Sequence, residues 1–112
     1  MATSHICNES DLEKELLHLY EDGKRIGYKA GRFYQMFMPH CPQYVGGIET
    51  VRRIISKGRS AGFNFAVEHH RPDLLLEHLV LDPRWQHLFT VEIQSKAREN
   101  LATISKWPTT EK

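Results

Sequence analysis

The chain contains 112 residues, of which 40% are hydrophobic, and carries a net charge of +1 at neutral pH. This length accommodates one domain with a hydrophobic core that needs neither disulfides nor a structural metal. The chain has no apolar run of about eighteen residues and no basic segment followed by an apolar one near its start, so we expect neither a membrane span nor a secretion signal. Its two cysteines, Cys7 and Cys41, favour a reduced, cytoplasmic setting.

The charges are unevenly distributed along the chain. Residues 1–22 carry six acidic side chains and one lysine, a net charge of −5, whereas residues 23–60 carry eight basic side chains and one glutamate, a net charge of +7. An acidic first helix and a basic middle segment can neutralise each other inside one domain. The alternative is a basic face that binds phosphates or an acidic partner protein.

A capping-box pattern marks the start of the first predicted helix. Residues 1–9 are expected to form a flexible leader. Ser10 and Glu13 have the three-residue spacing of a capping box, and the apolar residues that follow recur at helical intervals. We therefore predict a helix from Ser10 to about Gly23.

Two further helices are predicted in the basic middle segment. Aromatic residues and methionines at helical intervals predict a helix over residues 28–38, and a loop bounded by two prolines follows over residues 39–42. Gly46 and Gly47 precede an amphipathic stretch that predicts a third helix ending near Gly58. The glycine pair also admits an alternative interpretation, in which backbone N–H groups at the helix start bind a phosphate.

Residues 71–93 combine two helix starts, a nearly continuous apolar run and an aromatic pair, and we expect the rest of the chain to fold against them. Pro72 is suited to the first turn of a helix that carries the apolar run, and Asp82 and Pro83 are predicted to end this helix. A short helix carrying Trp85 and Phe89 is predicted to follow. Both aromatic side chains must then be buried by the other helices.

Two more helices complete the prediction. A short helix is expected over residues 63–67. Thr90 is a favourable N-cap for a last helix over residues 91–104, with Glu92 and Lys96 paired on its outer face.

These patterns predict an all-α fold, a compact single-domain bundle of five to six short helices. The domain is expected to span residues 10–106, followed by a mobile tail over residues 107–112. The predicted structural core contains Phe63, Leu79, Trp85 and Phe89.

A pattern of glycine, aromatic and charged positions extends over about residues 28–101. Its members are Tyr28, Arg32, Phe33, Met36, Gly46, Gly47, Glu49, Thr50, Arg53, Ser60, Gly62, Phe63, Glu68, Arg71, Asp73, Leu74, Glu77, Val80, Leu81, Pro83, Trp85, Leu88, Phe89, Glu92, Ala97, Arg98 and Leu101. This pattern resembles that of an uncharacterised family of small helical bacterial proteins. The resemblance implies a helical module and no established activity. The chain departs from the pattern at Pro72, which replaces an apolar residue, and over residues 37–45, which are longer than expected and would form a variable surface loop.

Five charged residues of this pattern form a candidate site, namely Arg53, Glu68, Arg71, Asp73 and Glu77. Helical spacing is expected to bring Glu68 near Arg71 and Asp73 near Glu77. Two arginines and three carboxylates in one place could bind a charged group or perform acid–base chemistry. The structural alternative is a network of ion pairs and helix caps that fixes how the short helices meet.

The histidines and cysteines do not predict a metal site or a nucleophile. His5 with Cys7 and His40 with Cys41 supply ligand atoms for zinc, but neither pair has the separation usual for zinc ligands. The other histidines do not form the His-Glu-x-x-His arrangement. Cys41 has no cysteine-hydrolase context around it. We therefore predict no metal, no cofactor and no enzymatic activity.

The function that these observations favour is a non-enzymatic protein-interaction module whose partner is a protein with an acidic surface. A compact helical protein of this size suits an inhibitor, immunity protein or accessory protein in a bacterial or phage defence or counter-defence setting. The predicted partner-binding face contains His40, Gln43, Tyr44, Arg52, Arg53, Lys57 and Arg59. The alternative is a nucleic-acid-binding helical domain that uses the basic segment 24–59 and the aromatic residues within it.

Overall fold

A computed structural model of the chain describes residues 7–104. Within this range the chain forms six α-helices, two short 3-10 helices and no strand, so the prediction of an all-α fold is confirmed. Positions 1–6 of the predicted leader and all of the predicted tail lie outside the described residues. The α-helices are α1 (Glu9–Arg25), α2 (Gly31–Phe37), α3 (Gly47–Ser56), α4 (Ala61–Glu68), α5 (Leu76–Leu81) and α6 (Val91–Ala102), and the 3-10 helices span Pro72–Leu74 and Gln86–Leu88. None of the helices in the described range combines the length and the apolar character that a membrane span requires.

The start of α1 is set by Asn8 and not by the predicted capping box of Ser10 and Glu13. The Asn8 side chain accepts a hydrogen bond from the backbone N–H of Asp11 at 2.9 Å, and the Asp11 carboxylate accepts one from the Asn8 N–H at 3.0 Å. This reciprocal pair satisfies two N–H groups at the helix start, as a capping box does. The helix therefore begins earlier than predicted, at Glu9.

Carboxylates of α1 cap the N-terminus of α3. Glu13 accepts a hydrogen bond from the backbone N–H of Gly47 at 2.8 Å, and Glu9 accepts one from the N–H of Ile48 at 3.0 Å. N–H groups in the first turn of a helix lack intrahelical partners and lie at its positive end, so carboxylates stabilise them. The alternative interpretation was that backbone N–H groups at this helix start bind a phosphate. The N–H groups of Gly47 and Ile48 are instead hydrogen-bonded to side chains of the chain itself.

The glycine pair is required by the close approach of α1. Gly46 has a φ of +101°, a backbone region that favours glycine. A Cβ atom on Gly47 would lie 2.8 Å from Cγ of Glu13 and 3.3 Å from Cδ2 of Leu12. A larger residue at this position would push α1 away from α3.

The helix α3 is the centre of the bundle, because it contacts α1, α2, α5 and α6. Its Val51 and Ile55 side chains are fully buried. They belong to the main hydrophobic core together with Leu79, Trp85 and Phe89. The aromatic pair is thus buried around a helix from the middle of the sequence.

Residues 71–93 are divided between two cores. Pro72 opens a 3-10 helix and not the predicted α-helix, because the backbone becomes extended at Leu75 before α5 begins at Leu76. Leu75 is buried with Phe63 in a second, smaller core under α4. The interruption lets consecutive parts of one apolar run contribute to different cores.

The last helix begins as predicted. Oγ1 of Thr90 accepts a hydrogen bond from the backbone N–H of Ile93 at 3.3 Å. The predicted pairing of Lys96 with Glu92 is replaced by a contact with Glu99, at 3.2 Å between the ammonium and carboxylate groups. This pair is exposed and contributes little stability.

Replacement of Gly47 by alanine is expected to lower the free energy of unfolding by roughly 1–3 kcal/mol, because the added Cβ overpacks the contact with Glu13. Gly31→Ala is the matched control, since a Cβ at Gly31 meets nothing within 4 Å and alanine is the better helix former. Urea unfolding of both variants measures the difference. A Gly47→Ala variant as stable as the wild-type protein would contradict this account of how α1 packs on α3.

Candidate binding cleft

A cleft of about 430 Å³ lies beside α3. Its walls come from the second half of α1, from α2, α3 and the start of α4, and from the chain segment that leads into α5. This volume falls within the usual range of ligand pockets, roughly 300–1,000 Å³. Ten residues of the family-like pattern line the cleft, namely Tyr28, Arg32, Phe33, Met36, Arg53, Ser60, Gly62, Phe63, Leu74 and Glu77. Part of a pattern that is dispersed along the sequence is therefore brought to one cleft in the fold.

The walls of the cleft are mainly aromatic and aliphatic. Tyr28 precedes α2, although it was predicted to lie within that helix, and its ring packs against Phe65 of α4 with the ring centroids 4.7 Å apart. Phe33 connects the wall to the main core, because its ring lies 4.8 Å from that of the buried Phe37. Met36 adds a flexible apolar surface. These side chains favour an aromatic or aliphatic ligand group.

Three exposed basic side chains also line the cleft, and we call Arg32, Arg53 and Lys57 the cationic rim. Arg53 lies on α3, and Lys57, four residues later, directly follows the helix with a helical backbone conformation, so the two side chains project from the same side. Arg53 donates a hydrogen bond to the Glu49 carboxylate at 2.6 Å. Arg32 and Lys57 form no ion pair with any residue between positions 7 and 104. The entrance to the cleft therefore has a net positive charge.

Glu77, at the start of α5, is the one carboxylate among the described residues that line the cleft, and only 2% of its surface is exposed. Its Oε2 atom accepts a hydrogen bond from Nδ2 of Asn100 at 2.9 Å. The buried Asn100 amide also donates to the backbone carbonyl oxygens of Ile55 at 3.1 Å and Gly58 at 3.4 Å. This network joins α5, α6 and the C-terminal end of α3 at the floor of the cleft.

Asn100 is a residue of the site that the sequence pattern did not identify. It lies seven residues after Ile93 and three after Ala97, which are both buried, so helical periodicity places it on the inner face of α6. A buried polar side chain requires a hydrogen-bond partner. The helical periodicity therefore indicates that Asn100 makes a buried polar contact, but it does not indicate that the partner is Glu77.

The five charged residues of the predicted site are not brought together. Arg53 and Glu77 line the cleft, whereas the other three do not. The prediction placed Glu68 near Arg71. In the structure Arg71 instead donates hydrogen bonds to Asp73, at 2.8 and 3.0 Å. Asp73 is likewise not joined to Glu77, whose partner lies on α6. The Arg71 contact matches the structural alternative of a local ion pair, and it lowers the pKa of Asp73.

Three members of the predicted partner-binding face lie in the loop between α2 and α3. The Tyr44 hydroxyl donates a hydrogen bond to Glu13 at 2.8 Å, and this bond raises the pKa of Tyr44. The His40 ring lies edge-on to the Tyr34 ring, with centroids 6.1 Å apart. Gln43 is exposed. These residues do not line the cleft.

The other members lie along α3 and after its end. Arg53 and Lys57 are part of the cationic rim. Arg52 donates hydrogen bonds to Glu49 at 2.8 and 2.5 Å, and together with Arg53 it lowers the pKa of Glu49 to about 2. Arg59 donates to the Asn64 side chain at 2.9 Å. Only two of the seven predicted residues therefore line the cleft.

The histidines and cysteines do not converge in the part of the chain that the structure describes. No group of three or more histidine, cysteine, aspartate or glutamate side chains in that part has an arrangement that could hold a metal ion. Cys7 and Cys41 are not disulfide-bonded, and His5 lies outside the described residues. Neither histidine nor cysteine is found among the described residues that line the cleft.

No protein-family model, curated protein or solved structure matches the chain. The resemblance to a small bacterial family therefore stays a prediction that rests on the pattern of residues.

Burial raises the pKa of Glu77, because the ionised carboxylate loses the favourable hydration that it has in the unfolded chain. The hydrogen bond from Asn100 opposes this effect without reversing it. The folded state thus binds a proton more tightly than the unfolded state. The resulting stabilisation is fully present below the ordinary pKa of glutamate and is lost as the pH rises through the raised pKa.

Glu77→Gln removes this titration and keeps the size of the side chain. The free energy of unfolding of the variant, minus that of the wild-type protein, is expected to increase as the pH rises from about 4, near the ordinary pKa of glutamate, through the raised pKa. The increase is about 1.4 kcal/mol for each unit by which the pKa is raised. Urea unfolding across this pH range measures the change. Glu99→Gln, at an exposed site on α6, controls for the loss of one surface charge. A difference for Glu77→Gln that is independent of pH would contradict the assignment of a buried, titrating carboxylate.

Proposed function

We propose that the protein is a non-enzymatic interaction module that binds an apolar segment of an acidic partner protein in the cleft. The observation that supports this proposal most directly is the combination of an apolar interior with a cationic rim. Protein partners commonly anchor one or two large side chains in such a pocket and surround them with polar contacts.

The charges of the rim favour an acidic partner. Arg32 and Lys57 are exposed and have no ion-pair partner within residues 7–104, so they are available to carboxylates that flank an inserted side chain. Complementary charge increases the association rate and disfavours basic competitors. No acidic side chain of α1 forms an ion pair with either of them in the described range, and Glu9 and Glu13 are instead bound to the N-terminus of α3.

The chemistry of the cleft supports binding rather than catalysis. Glu77 is hydrogen-bonded to Asn100, and no second carboxylate, histidine or cysteine accompanies it among the described residues that line the cleft. The hydroxyl of Ser60 accepts a hydrogen bond from the backbone N–H of Phe63 at 3.0 Å and serves as the N-cap of α4. A nucleophile beside an oriented base, the usual requirement for covalent catalysis, is therefore not assembled from these side chains.

The alternative of a nucleic-acid partner has less support from the geometry. Arg52 and Arg53 are both hydrogen-bonded to Glu49, and Arg59 is bound to Asn64, so three cations of the basic segment are engaged within the chain. Nucleic-acid binding requires several cations that can contact phosphates at once. A role as an inhibitor, immunity or accessory protein in a defence setting is compatible with the proposed module and stays a prediction from its size and class.

Selection from a library of random peptides displayed on phage tests the proposal. We expect the immobilised protein to enrich peptides that carry one or two large apolar side chains flanked by aspartate or glutamate. Reversal of both unpaired rim charges, Arg32→Glu with Lys57→Glu, is expected to weaken binding of the enriched peptides about tenfold or more, equivalent to at least about 1.4 kcal/mol. The thermal unfolding midpoint should change little, because both side chains are exposed.

Arg98→Glu is the matched control, because Arg98 is exposed on α6 and does not line the cleft. Its affinity for the same peptides should equal that of the wild-type protein, as measured by isothermal titration calorimetry. Enrichment of basic peptides, or equal loss of affinity in the control and in the rim variant, would contradict the proposal. Binding of single-stranded oligonucleotides that is lost in the rim variant would instead favour the nucleic-acid alternative.

A further inference from the structure

The Glu77 carboxyl group has hydrogen-bonding capacity that the fold does not use. An ionised carboxylate offers about four lone-pair positions. The Asn100 amide donates a hydrogen bond to Oε2, and no other described residue donates one to Oε1. Glu77 is one of the residues that line the cleft, which makes its carboxyl group the candidate acceptor for an inserted ligand group.

A wholly apolar ligand group would leave this capacity unfilled. Glu77 is 2% exposed, so a side chain that fills the cleft would separate the carboxyl group from its last contact with water. Burial of an acceptor without a replacement donor costs free energy. A ligand group with a hydrogen-bond donor at its tip avoids that cost.

The aromatic walls and the cationic rim restrict the chemical character of the inserted group further. Tyr28, Phe65 and Phe33 present ring surfaces, which pack well against another aromatic ring. A lysine or arginine side chain would provide donors, but it would have to pass the positive charges of Arg32 and Lys57. A large aromatic body with one N–H or O–H group satisfies all three conditions.

We infer that the partner inserts a tryptophan or tyrosine side chain into the cleft, and that its N–H or O–H group donates a hydrogen bond to the Glu77 carboxyl group. The inference rests on the proposed function, since it identifies the side chain that anchors the acidic segment. It makes Glu77 a specificity-determining residue in addition to a structural one. Tryptophan and tyrosine are also the residues that most often anchor protein interfaces.

A pair of synthetic peptides tests this assignment on the wild-type protein. The first peptide has a central tryptophan with two glutamates before it and two aspartates after it, and both of its ends are blocked. In the second peptide, 3-benzothienylalanine replaces the tryptophan, which keeps the shape of the ring system and removes the N–H group. Titration of the isotopically labelled protein, followed by two-dimensional NMR, gives both dissociation constants and reports which amides are perturbed.

We expect the tryptophan peptide to bind about tenfold more tightly, a ratio that corresponds to about 1.4 kcal/mol. Shifts should be concentrated on residues of the cleft, such as Met36 and Lys57. In Glu77→Met, which removes the acceptor, the two peptides should bind equally. The affinity of the benzothienyl peptide for that variant should not be lower than for the wild-type protein, because this peptide has no donor to lose.

The outcomes separate this inference from the proposed function. Equal binding of the two peptides to the wild-type cleft would overturn the role of Glu77 and leave the acidic-segment proposal intact. Failure of both peptides to perturb the cleft residues would overturn both proposals. Because the comparison of peptides uses the wild-type protein, it remains decisive even if Glu77→Met does not fold.

Discussion

The contact between the carboxylates of α1 and the first turn of α3 is the interaction on which the rest of the structure depends. Glu9 and Glu13 occupy the backbone amides of Ile48 and Gly47, and the absence of a side chain on Gly47 lets the two helices approach closely. With its N-terminus held in this way, α3 lies at the centre of the bundle and contacts four other helices. The charge imbalance between the acidic start of the chain and its basic middle is therefore partly a folding device.

That placement of α3 also produces the cleft. The buried face of the helix carries Val51 and Ile55, whereas Arg53 projects from another face and lines the cleft together with Lys57, the residue after the helix. At the C-terminal end of the helix, Asn100 ties the carbonyl oxygen of Ile55 to α5 and α6. The same helix thus contributes to the core on one side and, through Arg53, to the cationic rim on the other. The buried pair of the Asn100 amide and the Glu77 carboxyl group lies at the end of this helix.

Local signals predicted much of the fold, and long-range pairings account for most of what was missed. The helical periodicity and the Thr90 cap are properties of neighbouring residues, and the all-α fold followed from them. Glu13 has the spacing of a capping box, but it pairs with an amide more than thirty residues away. The same limit applies to the site. The residue pattern pointed to Arg53 and Glu77, but it did not indicate that Asn100 would be the partner of Glu77, since helical spacing relates residues only within one helix.

The measurement that tests the central claim most directly is site-specific photo-crosslinking of the full chain in its source cells. A photoreactive p-benzoylphenylalanine replaces Ala61, which is exposed and lines the cleft, or Ser95, which is exposed on α6 and does not. The account predicts a crosslinked adduct with one acidic protein from position 61 and no such adduct from position 95. The adduct from position 61 should be suppressed when Arg32 and Lys57 are both changed to glutamate. Adducts of equal yield from both positions, or adducts with nucleic acid from position 61, would contradict it.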